Sequence, residues 1–170
     1  MMRKALFFIL LAVMAAGSVR AQSGSDRLSL GAGLLHERGL DLTLSYEHET
    51  RHHTAWEFFA NGYVKWDVCP SCGHVCPESL WHNYRTWAVG AAWKPCVIRT
   101  RNTCGSLRLG ASAGSDTYQA MGAFHAGYEH SYTLHHGLRL FWQVKTDLTL
   151  NAEDLFRTGA VVGMKIPLNK

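Results

Sequence analysis

The sequence predicts an all-β fold: an eight-stranded antiparallel up-and-down barrel of outer-membrane type, following a cleaved signal peptide. Three observations predict it. Leu138 to Leu150 alternates without a break, with Leu138, Leu140, Trp142, Val144, Thr146, Leu148 and Leu150 on one face and Arg139, Gln143, Lys145 and Asp147 on the other. A repeat of two is that of an extended strand whose side chains point to opposite faces. About eight such segments follow one another on short connections, and that even number suits a sandwich or a closed barrel. Finally, the charged faces also carry Gly31, Gly33, Gly90, Gly110, Gly159 and Gly163. Long charges interleaved with glycines fit a narrow, filled, polar interior.

The chain has 170 residues, enough for one domain. Residues 1–21 read as a secretory signal: Arg3 and Lys4 open it, Ala5 to Ala16 is apolar, and Val19-Arg20-Ala21 ends in a small residue. That apolar run is short for a membrane span. Gln22, not Cys, follows, so no lipid-modified terminus is expected. The barrel domain is then 22–170. Losing Arg3, Lys4 and Arg20 leaves fourteen basic residues against thirteen acids, so the formal charge falls from +4 to +1. That balance gives no reason to expect nucleic acid or acidic lipid as a partner. No segment after the signal approaches a transmembrane helix, so a membrane crossing requires a closed barrel.

The first strand is expected over 26–35, with Leu28, Leu30, Ala32 and Leu34 sharing a face. His36-Glu37-Arg38-Gly39 reads as a tight turn in which Gly supplies the difficult backbone angles. Strand two, about 40–48, sets Leu40, Leu42, Leu44 and Tyr46 against Asp41, Thr43, Ser45 and Glu47. In strand three, about 54–66, Trp56, Phe58, Ala60, Gly62, Val64 and Trp66 oppose Glu57, Phe59, Asn61, Tyr63 and Lys65. A long loop, 67–82, holds three cysteines. Strand four, about 84–94, has Trp87, Val89, Ala91 and Trp93 on one face, and a turn holding Cys96 and Cys104 follows. Strand five, about 105–114, sets Leu107 and Leu109 against Ser106, Arg108 and Ser112. Strand six, about 118–129, sets Phe124, Ala126 and Tyr128 against Met121, His125 and Glu129. Strand seven is 138–150. Strand eight, about 156–168, sets Phe156, Ala160, Val162, Met164, Ile166 and Leu168 against Arg157, Gly159, Gly163 and Lys165. Pro167 stands at its end, where a missing donor is tolerated.

Aromatic spacing favours lipid over water as the outer solvent. Trp56 and Trp66 are ten residues apart on one face. That is roughly 33 Å along a strand, or roughly 25 Å of height after a tilt of about 40°, the band between two aromatic girdles. The inner face would then hold Glu57, Arg108, Arg139, Lys145, Arg157 and Lys165. Buried, these charges must pair, so the lumen is expected to be a plug of ion pairs rather than a pore. With both termini periplasmic, the 67–82 loop faces outward.

Five cysteines in an exported chain point to disulfides before metal. Cys96 and Cys104 flank a single turn and are expected to bridge. Cys69, Cys72 and Cys76 are expected to supply a disulfide capping the loop, with one thiol left over. The alternative is a metal knuckle of Cys69, Cys72, His74 and Cys76, or with His82; the second half of the usual paired motif is absent. His52, His53, His135 and His136 read as solvated turn residues, and His125 beside Glu57 or Glu129 is the one imaginable catalytic pair. No nucleophile elbow, phosphate loop or zincin motif is present, so neither an enzyme nor a cofactor is expected.

Residues 156–168, Phe-Arg-Thr-Gly-Ala-Val-Val-Gly-Met-Lys-Ile-Pro-Leu, after strand seven and Asn151-Ala152-Glu153-Asp154-Leu155, resemble the closing hairpin of the TraO family. These are conjugal transfer proteins of conjugative transposons in Bacteroidetes. The resemblance extends loosely over the signal peptide, the Gly-rich first strand and the eight-strand count. It implies a non-catalytic, structural outer-membrane component of a DNA-transfer apparatus. Its expected partners are outer-membrane lipid and other conjugal transfer proteins of the envelope, without direct contact to nucleic acid. The competing readings are a generic small outer-membrane barrel for adhesion or envelope stability, and a soluble periplasmic ligand-binding barrel.

Overall fold

A computed structural model describes residues 24–36, 38–50, 53–66, 68–69, 72–74, 85–116 and 118–168. The expected signal segment, Glu37, His52, Cys76, His82 and most of the 67–82 loop lie outside the described residues. Eight strands follow in order: β1 (Ser25–Leu35), β2 (Gly39–Glu49), β3 (Thr54–Lys65), β4 (Arg85–Arg99), β5 (Thr103–Asp116), β6 (Ala120–Thr133), β7 (Arg139–Leu150) and β8 (Phe156–Pro167). Each pairs antiparallel with its neighbour, and β1 pairs with β8 to close the barrel. Closure gives every strand a hydrogen-bonded neighbour on each side.

Register and pleat divide the residues by solvent preference, but inside out. Trp56, Phe58, Trp87, Val89, Leu109, Leu140 and Trp142 lie exposed on the outside. Arg108, Glu57, Lys145, Arg157 and Lys165 are buried inside, Arg108 at 3% exposure. Val161, Phe141, Phe59 and Tyr63 join them, so the centre mixes rings with ions.

Glycines set how closely neighbours approach the wall. Phe141 pairs with Gly163 across β7–β8, and a Cβ on Gly163 would stand 2.7 Å from that ring. Gly90 meets Phe59 in the same way, again at 2.7 Å.

The structure departs from the sequence reading in three places. The β1–β2 turn places its positive φ on Arg38, at 56°, not on Gly39. Gly39 begins β2, where the Tyr63 ring fills the space a Cβ would need. The turn expected to hold Cys96 and Cys104 is largely strand: β4 runs on to Arg99 and β5 begins at Thr103. A bulge between Cys96 and Ile98 absorbs the extra residue, and the β-branched Val97 and Ile98 suit extended backbone. Strand β6 likewise continues past Glu129 to Thr133, pairing with Arg139.

Candidate functional site in the barrel lumen

Inward positions on six strands converge on one cluster. Lys94 Nζ donates to Glu47 Oε2 and Glu129 Oε2, each at 2.6 Å, and lies 3.4 Å from Glu57 Oε2. Lys165 Nζ donates to the same Glu47 oxygen at 2.6 Å and to Glu129 Oε1 at 2.5 Å. Arg108 Nε donates to Glu57 at 3.0 Å, and its guanidinium lies 4.4 Å over the Phe59 ring. Three carboxylates meet three cations, so the cluster is neutral as a whole. The carboxylate oxygens of Glu47, Glu57 and Glu129 lie within 4.8 Å of one another, a spacing suited to a metal ion. The ammonium groups of Lys94 and Lys165 occupy that role instead.

A second cluster lies towards the opposite end of β2. Lys145 Nζ donates to Asp41 Oδ2 at 2.5 Å and lies 3.1 Å from Asp147 Oδ2. Asn61 Nδ2 donates to Asp41 at 2.8 Å. His125 Nδ1 meets Asp147 Oδ1 at 2.7 Å, and its Nε2 meets Ser112 Oγ at 2.7 Å. His125 therefore pairs with Asp147, not with Glu57 or Glu129, because Asp147 stands directly opposite it in the β6–β7 register. Serine, histidine and aspartate stand here in the order of an acyl-transfer triad. The adjoining cavity, lined by Thr43, Phe59, Asn61, Arg108, His125 and Gln143 among others, measures about 10 Å³. That is room for one water and not for an acyl group. The chain of hydrogen bonds fixes the orientation of the His125 ring.

At the end where β1 begins and β8 ends, Arg27 donates to Glu49 at 2.5 Å, and Arg139 and Arg99 approach the same carboxylate at 3.3 and 3.4 Å. Arg139 is half-buried at this mouth. Near the other end, Arg157 stacks 4.3 Å over the Tyr63 ring and donates to Thr86 at 3.1 Å. The structure thus brings Glu57, Arg108 and Lys165 together, and sets Arg139, Lys145 and Arg157 in separate groups.

Asp41, Glu47, Glu129 and Asp147, which alternation set on the inner face, complete these groups together with Arg27, Glu49 and Lys94, which the sequence reading did not place there. Parity was the available signal. Lys94 lies an even number of residues from Thr86, and Arg27 from Ser29.

In the loop after β3, Cys69 is half-buried, while Cys72 and His74 are exposed. Cys69 N–H donates to His74 O at 3.0 Å, and Gly73 takes a φ of 69° to close the turn. These three belong to no metal-competent group among the described residues. Cys96 and Cys104 face each other with Sγ atoms 3.1 Å apart, unbonded.

No protein-family model matches this chain, and no curated protein matches it. Solved structures do. The outer membrane protein Ail of Yersinia pestis, determined in a phospholipid bilayer nanodisc, superposes with a TM-score of 0.56 over 85% of this chain and 100% of its own, at 10% identity. Neisserial surface protein A gives 0.52 over 84% and 94%, at 12% identity. The designed barrel TMB2.3 gives 0.53 over 89% and 100%, at 10% identity. At such identities the likeness is one of fold: this chain is an eight-stranded barrel of the architecture those outer-membrane proteins share.

Proposed function

We propose that the chain is exported, sheds residues 1–21, and inserts into the outer membrane as a sealed, non-catalytic barrel that acts through the loops at its ends. The observation that carries this is the inversion of polarity. Tryptophans and leucines cover the outside while ion pairs fill the axis. A soluble barrel with this exterior would expose a continuous apolar belt, which water disfavours. A soluble ligand-binding barrel would need an apolar interior cavity. The two lumenal cavities described here instead measure about 10 Å³ each and are lined largely by charged and polar groups.

Membrane fractionation with heat-modifiable gel mobility tests the reading. The expected result is recovery in the outer membrane, with an unboiled band that shifts on boiling. Recovery in the periplasmic fluid overturns it. Loop orientation follows from labelling intact cells with a membrane-impermeant maleimide directed at Cys72; labelling supports an outward 67–82 loop.

A narrower reading, a structural part of a conjugative DNA-transfer apparatus, is supported by the likeness of residues 151–168 to the TraO closing hairpin. Deleting the gene and scoring mating frequency tests it, and unchanged transfer counts against an essential role.

A further inference from the structure

Cys96 and Cys104 stand on adjacent strands at the end of the barrel where β1 begins and β8 ends. Their thiols lie 3.1 Å apart beside the bulge. Cys96 pairs with Ser106 and Arg99 with Cys104, and the register slips in between. Strand β3 stops at Thr54, opposite Pro95, so β4 beyond that point has no ladder partner on its β3 side. The β5 arm of this tip is laddered to β6 through Thr103–Tyr132 and Cys104–Ser131, and Thr133 N–H donates to Asn102 O at 2.7 Å. Two contacts hold the β4 arm to the rim. Cys96 N–H donates to His53 O at 3.2 Å, and Arg99 reaches Glu49 and His53 Nδ1. Cys104 also lines the small mouth cavity with Lys94, Glu129, Arg139 and Lys165.

We propose that this pair is a site of oxidative closure: a disulfide that ties the β4 arm of the hairpin tip, unladdered on its β3 side, to the β5 arm beside the mouth of the lumen. One thiolate attacks the disulfide of an exported thiol oxidase, forming a mixed disulfide. The second thiolate then displaces the oxidase. The cysteines lose two electrons and two protons, and the oxidase leaves as a dithiol. Cys69 and Cys72 cannot compete in the folded barrel. They follow β3 at its other end, 12 strand residues away, or roughly 40 Å along the chain. Pairing is therefore confined to each end, and the odd thiol belongs to the loop.

The test uses the exported full chain carrying Cys69→Ser, Cys72→Ser and Cys76→Ser, purified without reductant. The expected intact mass is about 2 Da below that of the dithiol, with no maleimide uptake before reduction and two maleimides after it. Two maleimides without reduction overturn the proposal. Trypsin cleavage after Arg99 or Arg101 should leave two fragments that part only under reductant; parting without it has the same force. With Cys96→Ser added, nicking there should run about tenfold faster, because the tip opens more often. An unchanged rate overturns the clamping role. Fractionation of the same sample reports separately on insertion, so reduced thiols in a correctly placed barrel count against the disulfide alone.

Discussion

The two lumenal clusters use similar residues to different ends. Around Glu47, Glu57 and Glu129 every member is charged, and six strands contribute one group each. Around Asp41 and Asp147 the chain of contacts runs out into neutral groups: Asn61 at one end, Ser112 at the other. The first arrangement cancels charge by enclosure, and removing any member leaves an uncompensated charge in the buried cluster. The second tapers, and removing its outermost member leaves only a polar atom. Burial alone does not make a lumenal residue indispensable; what its loss would strand does.

That contrast orders the expected effects. Lys94→Met leaves three carboxylates facing two cations, and unfolding by urea in lipid vesicles should show a loss of about 3–5 kcal/mol. Finding no more than the loss at Ser112 would erase the distinction between the clusters. Arginine at position 109 sharpens it from outside. Arg108 is buried and paired, whereas Leu109 faces outward. Leu109→Arg should cost about 2–4 kcal/mol in a bilayer. A negligible cost would mean that no hydrocarbon surrounds the wall. Asp147→Asn removes the negative charge that His125 and Lys145 share and turns one of its two acceptors into a donor, for an expected about 1–3 kcal/mol in the same titration. Ser112→Ala ends the tapered chain one group earlier and should cost about 0.5–1.5 kcal/mol. Should it match Lys94→Met, Ser112 would be part of a closed cluster after all.

Much of this was legible in the residues. Strands β2 and β7 alternate so cleanly that each side chain's face is fixed by counting, and the eight strands follow from repeating that count. Register was not legible. Parity put His125 and Asp147 on the inner face. Only the β6–β7 pairing, which depends on where the 134–138 turn closes, sets them opposite each other. Lys94 was missed because strand four was expected to end there, when a bulge carries it on to Arg99. Gly39 was credited with turn geometry when its need is spatial. The Tyr63 ring that crowds it comes from β3, the next strand round the wall, and no local pattern reports that.

The cluster of three glutamates also constrains the order of assembly. Its members come from β2, β3, β4, β5, β6 and β8, so its last cation, Lys165, arrives only with the final strand. Until β8 seats against β1, Glu47 and Glu129 share Lys94, with Arg27 3.7 Å from Glu47 as a further cation, and water has to stay with them. Drying of the axis and sealing of the seam are therefore one event. A chain stalled before residue 156 would hold a wet, open trough rather than a smaller barrel.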